Sequence, residues 1–276
     1  MAAETLRLFG AGARMNVIKI LRTREQALAH TFTDFLWHSG GMLAPILVAL
    51  RFGHIGPWPA AAVVFMLAYG TVVASLMDAL GDGPWRLSQF IGRGQLDHLL
   101  VQPQPLWRIL LTDGFTPLDF WPTLTIGIVL LVWATGAMQV AVSAGWLALL
   151  GVELLSSIVV QTAFLYAWGC IAFWAPRGAE EISSAASTLI GEVSFPLDPV
   201  PRSLRILLVS AVPSGLLSWV PSRALLGIGG AGAVDTWLTP LAAVALGTLA
   251  LLLFRLGLRR YRRTGSTRYT DHVNRN

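Results

Sequence analysis

The chain is short of charge, of cysteine and of lysine. Only 13% of its 276 residues are charged, against about 25% in soluble domains. Hydrophobic residues make up 54%, a balance that excludes a soluble globular domain and predicts an all-α polytopic membrane protein. The one cysteine, Cys170, lies in an apolar run, so neither an intrachain disulfide nor a cysteine-built metal site is available. Lys19 is the sole lysine beside 19 arginines. These charges gather at the ends of apolar runs, which makes them a topology signal. A nucleic-acid binder spreads its basic residues over a soluble surface, so no nucleic-acid partner is expected. Phosphate-cradling G-x-x-x-x-G-K-[ST] is missing, as are H-E-x-x-H and G-x-S-x-G. The five histidines (30, 38, 54, 98 and 272) are scattered and assemble no catalytic set with serine and aspartate. No catalytic residue, metal site or cofactor is therefore expected on this chain. No cleavable signal peptide is expected either, because the first long apolar run starts near Thr31 without a small-residue cleavage site behind it.

What is present is a series of apolar runs near the ~20 residues that a membrane crossing needs. Six candidates stand at 31–50, 59–80, 118–137, 145–174, 180–196 and 236–258. Ahead of them, residues 4–28 read as a basic amphipathic helix. Leu6, Phe9, Ala13, Val17, Ile20 and Leu21 form its stripe, and such a helix lies on an anionic membrane surface. Tryptophans 58, 85, 121, 146, 174, 219 and 237 sit near span ends and read as interfacial anchors. Residues 197–233 are a re-entrant region before the last span. Two apolar pieces there, 203–212 and 214–226, are separated by Pro213, and Pro221 interrupts the second. Joining them would make seven spans. Six spans with both ends inside place sixteen basic residues inside and four (Arg51, Arg202, Arg205, Arg223) outside, whereas seven would send the Arg259–Arg263 tail outside. Six is the better reading, with 81–117 as an inner polar loop and 259–276 as a basic inner tail whose last residues, 264–276, are frayed.

The inner loop contains Arg93-Gly94-Gln95-Leu96-Asp97-His98-Leu99-Leu100-Val101-Gln102-Pro103. Arg93 and Asp97, four apart, would share a helical face, and Leu96, Leu99 and Leu100 form an apolar stripe. Gly92 and Gly94 allow a bend, and Pro103 and Pro105 end the helix. An ordinary solvated loop helix would look the same. The stretch resembles the R-G-x-L-(D/E)-x-L-L-x-x-P segment of the membrane subunits of type-2 ATP-binding cassette (ABC) exporters, in particular small bacterial permeases encoded as separate chains. The resemblance extends loosely over almost the whole chain. It implies that Arg93, Gln95, Leu96, Asp97, Leu99 and Leu100 couple to a cytoplasmic ABC ATPase, present as two copies or a dimer, which carries ATP and magnesium. It further implies a second permease chain, identical or homologous, residence in the bacterial cytoplasmic membrane, and export of a hydrophobic, amphipathic or cationic small molecule. An ATPase-independent secondary transporter or channel is the alternative, since a broken helix suits one as well.

Charged and strongly polar groups within spans are costly. Glu153 stands eight residues into the fourth run, with Ser157 and Gln161 on the same face. Ser184, Thr188 and Glu192 stripe the fifth run, and Asp34 and His38 stand in the first. Such groups line a cargo route or hydrogen-bond between helices. By topological analogy with type-2 exporters, the candidate cargo path comprises Phe65, Tyr69, Ser75, Glu153, Ser184, Thr188 and Glu192.

Overall fold

The computed structural model describes residues 24–80, 83–102, 104–106, 109–110, 120–191 and 195–265. Helix α1 (Arg24–Phe52) carries Pro45 inside it and ends at a tight turn. In that turn Gly53 and Gly56 adopt φ of 78° and 58°, a region that favours glycine. The turn joins two-residue strands β1 (His54–Ile55) and β2 (Trp58–Pro59), which pair antiparallel, and α2 (Ala60–Leu80) follows. Next come the loop helices α3 (Gly83–Gly92) and α4 (Leu96–Leu100). Helix α5 is Trp121–Ala137. Helix α6 (Ala144–Gly169) tightens into a 3₁₀ turn over Cys170–Phe173. Helix α7 (Ala179–Gly191) leads to α8 (Arg202–Ser210), a 3₁₀ turn at Pro213–Leu216, α9 (Trp219–Leu226) and the long α10 (Ala233–Thr264).

Helix α2 is the central element, and fourteen of its residues are buried. Its neighbour α5 approaches so closely that a Cβ at Gly127 would lie 2.9 Å from Val72 Cγ2 and 3.3 Å from the Ala68 carbonyl oxygen. Small residues let apolar helices meet in this way. Large apolar side chains face outward: Phe32, Leu36 and Leu47 on α1, Val132 and Trp133 on α5, Leu241, Val244 and Leu251 on α10. So wide an apolar surface has no place in water and marks a lipid-contacting, multi-pass protein.

Among the described residues, three stretches are long and apolar enough to cross a membrane: Ala60–Leu80, Ala144–Phe173 and Ala233–Thr264. They fall on the expected second, fourth and sixth spans. A fourth is added if α8 and Pro213–Leu226, bent by 71°, form one broken span. The expected spans at 31–50, 118–137 and 180–196 correspond to helices, but shorter or less apolar ones. Among the described residues, Leu43–Phe52 is the apolar part of α1, α5 has 17 residues, and α7 has 13, with 192–194 lying outside them. The expected break at Pro213 is present. Pro221 does not interrupt its piece, because it stands in the first turn of α9, where a missing N–H costs nothing. The predicted 4–28 helix lies mostly outside the described residues, and residues 24–28 already belong to α1. The tail is helical through Thr264, with Tyr261 buried against Phe173, their rings 6.2 Å apart, and the expected frayed end lies almost wholly outside the described residues.

Candidate coupling loop and buried polar cluster

Helix α3 ends in a Schellman motif. Gly94 N–H donates to the Ile91 carbonyl at 3.1 Å and Gln95 N–H to the Phe90 carbonyl at 2.8 Å, with Gly94 at φ 65°. The bend that Gly92 and Gly94 allow thus falls at Gly94 and separates two helices. Arg93 closes α3 while Asp97 belongs to α4, so the expected shared face of Arg93 and Asp97 does not form. Arg93 instead reaches Glu180 in the first turn of α7, with Nε to Oε1 at 2.9 Å and NH2 to Oε2 at 3.2 Å. That two-pronged hydrogen bond raises the Arg93 pKa.

The leucine stripe is divided. Leu96 is fully buried within its own chain, in a cluster with Leu87, Ile91, Leu106, Leu110, Cys170, Phe173 and Tyr261. Leu99 and Leu100 are half-buried against that cluster. Gln95, His98, Val101 and Gln102 are exposed, Val101 by 86%. The platform beneath is tightly built. A Cβ at Gly169 would lie 2.9 Å from the Pro84 carbonyl oxygen, and one at Gly257 would enter the Phe173 ring.

Of the expected cargo-path residues, three on α2 are wholly buried. Phe65 meets Trp146 edge-on at 6.4 Å, Ser75 donates to the Thr71 carbonyl at 2.7 Å, and Tyr69 lies 3.1 Å from Ser157 Oγ. Ser157 has one proton and its geometry gives it to the Leu216 carbonyl at 3.0 Å, so Tyr69 is the donor to Ser157. This relay ties α2 and α6 to the 3₁₀ turn. Glu153, one turn before Ser157 on α6, is wholly buried, and among the described residues neither carboxyl oxygen has a hydrogen-bond partner of standard geometry. The buried Thr239 hydroxyl of α10 faces it without closing such a bond. Ser184 and Thr188 are exposed on α7, Thr188 donating to the Ser184 carbonyl, so they form a surface separate from Tyr69 and Glu153. Glu192, and the side chains of Asp34 and His38, lie outside the described residues. With only the Thr239 hydroxyl facing it among the described residues, Glu153→Gln is expected to keep thermal stability within about 1 kcal/mol of the parent or above it. A larger fall in the unfolding midpoint would mean that the carboxylate is held by a group outside this cluster.

A second polar centre, which sequence reasoning missed, lies beyond the N-terminal end of α2, about 16 Å from Tyr69 at 1.5 Å per residue. Asp198 Oδ2 accepts from the indole N–H groups of Trp58 at 2.6 Å and Trp219 at 2.8 Å. Arg223 stands 3.7 Å from both Asp198 and Asp235, and its guanidinium lies over the Trp219 ring at 4.9 Å. Arg223 also donates to the Gly229 carbonyl at 3.0 Å. Trp58 and Trp219 are therefore buried ligands of a carboxylate and not interfacial anchors; their position near span ends was the only local signal. Asp198 itself carried none, because its partners are 140 and 21 residues away.

Among the described residues no cluster of histidine, cysteine, aspartate and glutamate could hold a metal ion. A family model described as "ABC-2 family transporter protein" matches residues 35–265. No curated protein and no solved structure gives a significant match. A membrane permease of this family is the transporting component rather than the catalyst, and it works with an ABC ATPase. The match embraces the Gly83–Leu100 loop, the buried polar cluster and the Asp198 centre together, and the chain belongs to the ABC-2 transporter family as a membrane permease.

Proposed function

We propose that this chain is the transmembrane half of an ATP-driven exporter. Six spans and cytoplasmic ends place the Gly83–Leu100 loop on the inner side of a bacterial cytoplasmic membrane. Two such chains, identical or homologous, enclose the path, and each receives one ATPase subunit that carries ATP and magnesium. The cargo is a hydrophobic, amphipathic or cationic small molecule. The observation that carries the reading is the orientation of α4. Its leucine side is seated in the chain's own cluster, which leaves Gln95, His98, Val101 and Gln102 outward at helical spacing. A short helix held rigidly from behind and bare in front works as a lever, because force applied to its face passes into the packed ends of α6 and α10 rather than into a loop. Arg93, Asp97, Leu99 and Leu100 then serve as braces more than as docking groups. Tyr69 and Glu153 are closed off within one chain in this conformation, so a path that uses them opens by separating α2, α6 and α10. Ser184 and Thr188 on the exposed side of α7 are available to cargo or to the second permease without such a change.

The test is Val101→Asp. A surface change of this kind leaves stability within about 0.5 kcal/mol. It is expected to lower co-purification of the soluble ATP-hydrolysing chain by at least tenfold, as a buried charge at an interface core does. Unaltered co-purification would remove this face of α4 from the interface.

A further inference from the structure

The contact between Arg93 and Glu180 joins the coupling loop to the first turn of α7, across 87 residues of sequence. We propose that this ion pair is the strut through which movement of the loop is delivered to α7, with Glu180 as its positioning residue. The inference rests on the exporter reading above and adds the route by which the lever reaches one particular helix.

Three observations converge. The pair is two-pronged, at 2.9 and 3.2 Å, and so holds direction as well as distance. The backbone beside it is in close approach: a Cβ at Gly92 would lie 3.2 Å from the Pro176 carbonyl oxygen and 3.8 Å from Ala179 Cβ, leaving no room for the loop to slip past α7. The rest of α7 is loosely held. Ser183, Ala186 and Ile190 form a narrow buried stripe, while Glu181, Ser184, Ala185, Thr188 and Leu189 are exposed. A helix anchored firmly at one end and lightly along its length turns about the anchor. The side chains of the pair are 53% and 34% exposed, so water screens them and the pair contributes little to folding. Its geometry is that of a link that bears direction, and its exposure allows it to break and re-form as the loop moves. Glu180 is also at ease at the N-terminus of α7 when the link is open, since its charge complements the helix dipole there.

The experiment uses the full chain with its co-purifying ATPase in lipid vesicles. Cys170 is buried, so Ala185→Cys on the exposed side of α7 supplies the thiol that a maleimide reaches. ATP with vanadate is expected to change the labelling rate in the parent. Arg93→Glu or Glu180→Arg should shrink that change about fivefold, the scale of a partly exposed ion pair with its charge reversed, while ATPase association and unfolding temperature hold. Arg93→Lys, which keeps the charge but loses the fork, should fall between. The double reversal Arg93→Glu with Glu180→Arg should recover at least half of the parent response, which a merely local stabilising role would not produce. A full response in the single reversals, or no recovery in the double one, overturns the strut. Loss of the ATPase from the unaltered chain overturns the exporter reading itself and is seen separately, in the purification.

Discussion

Asp198→Ala is expected to lower the stability of the chain by about 4 kcal/mol, through two buried indole donors that lose their acceptor at once. Trp58 is fully buried and Trp219 nearly so, and both N–H groups converge on the same oxygen, Oδ2. Each donor left without a partner costs about 1–3 kcal/mol. Arg223, 3.7 Å from Asp198, would keep Asp235 as its remaining carboxylate partner, so the guanidinium adds little to the loss. Asp198→Asn separates the two contributions. An amide oxygen can take the place of Oδ2 and accept from both indoles, so the variant should lose only about 1 kcal/mol, the difference between charged and neutral acceptors. Thermal unfolding in detergent reads the size of the effect. The emission of Trp58 and Trp219, shifting to the red as they become wet, reads its place. An alanine variant within 1 kcal/mol of the parent would mean that the indoles find another acceptor and that the bent α8–α9 segment is held by its apolar contacts alone. Those contacts are considerable: Leu197, Leu216 and Val220 are buried in the same cluster as Trp58.

Leu96→Ala is expected to cost about 3 kcal/mol in the stability of this chain, before any partner is considered. The side chain is fully buried among Leu87, Ile91, Leu110 and Phe173, and removing three carbons from such a site leaves a cavity that tight neighbours cannot fill. The neighbours are tight because Gly169 and Gly257 bring backbone and ring to close approach. Leu99→Ala and Leu100→Ala, at half-buried positions, should each cost less than half as much. Unfolding temperatures of the purified chain measure all three. If Leu96→Ala instead left stability unchanged and weakened ATPase association, the leucine stripe would face the partner and the lever would be seated the opposite way round.

The leucine spacing at 96, 99 and 100 was readable as one side of a helix, and Gly94 as the point where a bend was allowed. The spacing alone left the direction of that side open, because a half-apolar helix can pack inward or dock outward with the same pattern. Arg93 and Asp97 at four apart suggested a common face, and the Schellman ending at Gly94 defeated it, since a left-handed residue resets the helical phase. Glu153 stood out as a carboxylate in an apolar run, and it is buried. The residues that would have explained its setting, Tyr69 and Thr239, stand on two other helices. Asp198 was invisible for the converse reason: in a loop, a lone aspartate beside a proline looks like a turn.

Composition and local pattern by themselves determined that the chain belongs in a membrane, where the apolar runs of α2, α6 and α10 fall, and that the backbone breaks at Gly94 and Pro213. Those features depend on backbone conformation and on transfer from water, which act residue by residue along the chain. Tertiary packing alone decided that Arg93 pairs with Glu180, that Asp198 gathers two tryptophans, and that Leu96 turns inward. Each of these joins groups far apart in sequence, and the preference for one partner over another arises only when helices are close enough to exclude water.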